Sequence, residues 1–163
     1  MIPQVSFYIL ADESTLARST FACRLAEKAW RHSVRTHIHL ASEDDAKNMD
    51  ALLWSFREDS FLPHSTAQKE NTQKENTQTE NTGQTEDNRL IPVTIGWREE
   101  QFEEHQGLLI NLSESIPENT GQFSRVAEVV IQTDEVLQQA RIRFKQYREK
   151  GMAPQHQKVG APS

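Results

Sequence analysis

Cysteine occurs once among these 163 residues, at Cys23, so the chain forms neither an internal disulfide nor a cysteine-based zinc site. Cys23 stands among alanines and reads as a small hydrophobe. Glycine is scarce as well. There are six, and none follows the first strand-like run, where ADEST replaces a glycine-rich phosphate cradle. That argues against nucleotide binding in the usual α/β manner. No serine or cysteine sits in a nucleophile-elbow context. Long apolar runs are missing: nothing approaches the roughly 18 residues of a membrane span, and residues 1–10 lack the basic start and apolar core of a signal peptide. Positive charge is in deficit, with 18 Lys and Arg against 24 Asp and Glu and a net of −6. Binding to a nucleic-acid backbone needs clustered cations, so any contact with DNA is expected to be indirect. The expectation is one reduced, cytoplasmic domain, not attached to a membrane.

What is present alternates between strand and helix. Residues 5–10 (VSFYIL) read as a buried strand, and 14–32 as a helix with Phe21, Leu25 and Ala29 on one face and Ala22 and Ala26 beside them. Residues 36–41 (THIHLA) form a second strand. Ser42 then caps a helix whose buried stripe is Ala46, Met49, Leu53 and Phe56, with Asp45 in an aspartate version of the capping box. Glu43, Asp44 and Asp45 are explained by that cap and by the helix dipole. This order predicts an α/β fold with a mostly parallel central sheet flanked by helices. Residues 69–88 then repeat a degenerate KENTQ pentapeptide with no apolar side chain, which predicts a disordered polar insert over about 66–88. Strand-like runs return at 91–97, 108–112 and 127–131, with a helical turn near 121–125, and Thr133 caps a last helix. The predicted domain spans 1–152, and residues 153–163 are expected to be a flexible tail.

That last helix is the most informative segment. Leu137, Ala140, Phe144 and Tyr147 make an apolar stripe, and Gln138, Arg141, Lys145 and Arg148 follow one position later. A basic row beside an aromatic, on an acidic protein, suits a short acidic peptide ending in an apolar residue. An ordinary amphipathic helix with a solvated charged face gives the same pattern. On the second helix, Trp54 lies about 100° from the buried stripe, and Phe61 follows nearby; such aromatics are typical interface anchors, or else they shield the sheet edge. His37 and His39 alternate on one strand face, but no third ligand stands at a recognisable spacing, so neither metal nor cofactor is expected.

Taken in order, FYIL, CRLAEKAWR, ALLWSFREDSFLPHS and ARIRFKQYREKG resemble the chi subunit of bacterial DNA polymerase III holoenzyme, over about residues 4–64 and 90–152. The resemblance implies a non-enzymatic α/β adaptor in DNA replication, located at the replisome. It implies two partners: the psi subunit of the clamp-loader complex, in a 1:1 heterodimer, and the acidic C-terminal tail of single-stranded DNA-binding protein. That tail ends in aspartates, Ile-Pro-Phe and a free carboxylate. By the same resemblance Trp54 and Phe61 match psi-side aromatics, while Val130, Arg141, Phe144 and Lys145 match the tail pocket. Phe144 stands where the best-known relative has tyrosine, and Leu137 where it has lysine; Arg148 is the expected compensation. Two other functions fit the scaffold, a nucleotide- or metal-dependent enzyme and an adaptor for a DNA-repair helicase.

Overall fold

The computed structural model describes residues 2–56, 64–66, 93–98 and 107–159. Its elements run β1 (Gln4–Leu10), α1 (Thr15–Arg31), β2 (Thr36–His39), α2 (Glu43–Ser55), β3 (His64–Thr66), β4 (Val93–Gly96), β5 (Leu108–Asn111), a 3-10 turn (Glu118–Gln122), β6 (Arg125–Val130), α3 (Asp134–Glu149) and β7 (Gln155–Val159). The strands join in one seven-stranded sheet in the order β3-β4-β2-β5-β6-β1-β7, and every described pairing is parallel. The predicted α/β class is therefore what forms. From residue 67 on, the expected insert lies outside the described residues, as does Phe61.

Each helix starts where an oxygen-bearing side chain satisfies an orphan amide. Ser14 accepts from the Ala17 N–H at 3.0 Å and Ser42 from that of Asp45 at 3.1 Å. Thr133 accepts from Val136 at 3.4 Å. Helices α1 and α2 bury Ala22, Cys23, Ala26, Ala46, Met49 and Leu53 against Ile38, Ile95 and Ile110 of the sheet. On the opposite face α3 packs Ala140 and Tyr147 on Val5, Phe7, Val126 and Val130. Strand alternation divides β1 between these layers, since Phe7 serves the α3 side while Tyr8 and Leu10 serve the α1 side.

The end of α3 overturns one expectation. Residues 155–159 are no frayed tail; they pair with β1 from Ser6↔Gln155 to Leu10↔Val159. Gly151, at φ 91°, takes the left-handed position after the helix. Its N–H donates to the Arg148 carbonyl, and that of Met152 to the Tyr147 carbonyl, each at 3.0 Å. This pattern of crossed bonds closes the helix and reverses the chain. The polar run QHQKV carries no apolar alternation to announce a strand. It forms one because β1 would otherwise leave an edge of unpaired amides and carbonyls, which backbone hydrogen bonds to β7 satisfy.

Candidate functional site

Between α3 and the β1 end of the sheet lies a cleft of about 380 Å³, lined by Phe7, Ile9, Val130, Leu137, Ala140, Arg141, Phe144 and His156. The floor comes from the sheet, because Ile9 and Val130 are register partners at the ends of β1 and β6. Phe144 is half-buried and tilts against Phe7, their ring centroids 5.2 Å apart. Arg141 is exposed at the rim. Among the described residues no ion pair engages Arg141, Lys145 or Arg148. Of the predicted pocket residues, Val130, Arg141 and Phe144 line one cleft. Lys145 and Arg148 are exposed on the same helix but do not line it.

The orientation of α3 depends on a buried polar network under it. Glu128, with no solvent exposure, accepts from Arg143 Nε at 3.0 Å, from the Tyr147 hydroxyl at 2.6 Å and from Asn111 Nδ2 at 2.9 Å. Arg143, 2% exposed, spends a second donor on the Glu114 carbonyl at 3.1 Å. Three donors on one carboxylate compensate its removal from water. Burial, followed by the charge and hydrogen bond of Glu128, pushes the Tyr147 phenol far above its ordinary range, so it stays a neutral donor. These bonds pin α3 to β6 at Arg143 and Tyr147. Phe144, between them in sequence, is thereby set over Phe7.

Other sequence candidates sit elsewhere. Trp54 is 61% exposed on α2, on the sheet face opposite the cleft. His37 and His39 are buried side by side on β2, and His37 Nδ1 lies 2.7 Å from Thr94 Oγ1. Among the described residues no group of three or more His, Cys, Asp or Glu side chains is placed to hold a metal ion. Burial raises the Cys23 thiol to about 12, which makes it a packing group against Met49, 3.6 Å away. No described helix is long and apolar enough to cross a membrane.

Sequence reasoning missed His156 and the Arg143–Glu128 pair. The pair had a legible signal: Glu128 interrupts the apolar strand AEVVI, and Arg143 falls between Ala140 and Tyr147 on the buried stripe. His156 had none, since its strand was not recognisable.

The family model for the DNA polymerase III chi subunit (HolC) matches residues 2–155. This chain belongs to the chi family. It is 37% identical to DNA polymerase III subunit chi of Pseudomonas aeruginosa over 148 residues, 91% of each chain. The Haemophilus influenzae chi subunit is 31% identical over 160 residues, which is 98% of this chain and all of the relative. That of Escherichia coli is 28% identical over 150 residues, 90% and 91% of the two chains. Chi is an accessory subunit of the replicative polymerase and not its catalytic one.

Proposed function

We propose that this chi subunit is a two-sided adaptor at the replisome. It takes up the acidic, carboxylate-terminated tail of single-stranded DNA-binding protein in the α3 cleft. Through the α2 face around Trp54, with Phe61, it joins psi in a 1:1 heterodimer and so the clamp loader. DNA is reached only through these partners, in the cytoplasm, and the subunit needs no cofactor. The observation that carries the reading is the meeting of an exposed guanidinium, Arg141, with the apolar floor of Val130 and Phe144 in one cleft. A C-terminal phenylalanine offers a ring and a planar anion. Arginine grips a carboxylate through two parallel N–H bonds, which lysine cannot do. Lys145 and Arg148, outside the cleft, attract the aspartates at longer range.

The test is calorimetric titration of the peptide Asp-Asp-Asp-Ile-Pro-Phe, and of the same peptide lacking Phe, into wild type and single mutants. Charged hydrogen bonds contribute about 1.5–3 kcal/mol, so Arg141→Ala weakens binding roughly 10- to 150-fold. Lys145→Ala weakens it less and flattens its salt dependence, because exposed charges are screened. Equal binding by Arg141→Ala, or by the peptide without Phe, rules the reading out.

A further inference from the structure

β7 borders the cleft on the side away from α3. Its register against β1 sets His156 beside Phe7 and Lys158 beside Ile9. Side chains alternate along a strand, so His156 and Lys158 share the face of Phe7 and Ile9, while Gln155 and Gln157 line a separate cavity on the α1 side. His156 lines the α3 cleft itself, its ring centroid 6.1 Å from that of Phe144. Both His156 and Lys158 are exposed. On the α3 side, Leu137 forms an apolar wall where the resemblance puts a lysine, and Arg148 does not reach the lining. The α3 rim therefore has one cation fewer, and β7 adds two basic groups across the cleft from it. The family match stops at residue 155, so both lie beyond it.

We propose that His156 and Lys158 form a second basic rim, which receives the aspartates of an acidic peptide whose apolar C-terminus rests on Phe7, Ile9 and Val130. The proposal rests on the peptide-binding reading of the cleft. Its warrant is charge complementarity with matched spacing. Residues two apart on a strand are about 6.6 Å apart, so alternate carboxylates of an extended peptide meet His156 and Lys158 in step. Arg141 holds the terminal carboxylate from the other side, and the peptide lies between α3 and β7.

The groups that line the cleft with His156 are Arg141 and the apolar Leu137, Ala140 and Phe144 on α3, Phe7 and Ile9 on β1 and Val130 on β6. Glu128 stands two strands away in the same cross-strand row, behind Phe7, and is engaged by Arg143 and Tyr147.

The experiment titrates Asp-Asp-Asp-Ile-Pro-Phe and its Asn-Asn-Asn-Ile-Pro-Phe counterpart into wild type, His156→Gln, Lys158→Gln, the double variant and Arg141→Ala, each at low and at moderate salt. The double variant is expected to bind the aspartate peptide about 3- to 20-fold more weakly with a shallower salt dependence, and the asparagine peptide as wild type does. If the double variant binds the aspartate peptide as tightly as wild type while Arg141→Ala fails, the rim is wrong and the cleft stands. If wild type binds neither peptide, both are wrong. Circular dichroism melting of each variant, expected to match wild type, separates a lost contact from a lost β7.

Discussion

Glu128 shows how much of the site depends on a residue no ligand touches. Its carboxylate is wholly buried, and among the described residues Arg143 is the cation in ion-pair contact with it, while Arg18 acts on it at longer range. Removing one member of a buried pair leaves the other charge uncompensated, which typically costs about 3–5 kcal/mol, whereas replacing both with apolar groups is often near neutral. Arg143→Met is therefore expected to lower unfolding free energy by about 3–5 kcal/mol in urea. The double change Arg143→Met with Glu128→Leu is expected to recover most of that loss. If the double variant is no more stable than the single one, the pair is not what holds α3. At this scale the sequence was partly readable. The cations of the exposed row announced themselves by spacing, but a row of charges does not tell which neighbour turns inward. Arg143 does so because Glu128 waits there, an acid that only a buried partner permits inside an apolar strand.

At the scale of elements, periodicity and caps were sufficient for the three helices and for β1, β2, β4, β5 and β6. Each buries an apolar stripe that its own residues declare. β3 and β7 escaped because both are short edge strands held by backbone pairing and not by side-chain pattern. Their parallel direction also matters. A parallel neighbour requires a crossover of a dozen or more residues, so no tight hairpin turn announces either strand. Gly107 is a second element-scale constraint invisible to periodicity. A Cβ there would stand 2.0 Å from the Arg35 carbonyl oxygen, the same oxygen that accepts the Leu108 N–H at 2.8 Å where β5 meets β2. Gly107→Ala is expected to destabilise by about 3 kcal/mol through forced backbone displacement. Gly121→Ala, whose Cβ meets nothing within 4 Å, is expected to stay within about 0.5 kcal/mol of wild type. Thermal melts of the two variants check this directly, and equal melting temperatures would refute it.

Over the whole molecule, the sheet separates Trp54 from the α3 cleft: α1 and α2 pack on one face and α3 on the other. The alternation of strand and helix foretold the layers, but not the strand order, which arises from long-range pairing that no local window contains. Trp54, 61% exposed, contributes little to the core. Trp54→Ala is expected to leave the melting temperature nearly unchanged and to weaken the complex with psi about 30-fold or more, the loss of an interface anchor of about 2 kcal/mol. A large fall in melting temperature with normal psi binding would return the tryptophan to the fold. The separation has a further consequence for how such an adaptor works. Coupling between two ligands requires that each change the other's affinity, and it is reciprocal. On the proposed reading the described residues of the two sites lie on opposite faces of the sheet and share no side chain, so heterotropic coupling near zero is expected. Each partner then binds with an affinity indifferent to the other, so bridging is set by the product of two independent occupancies.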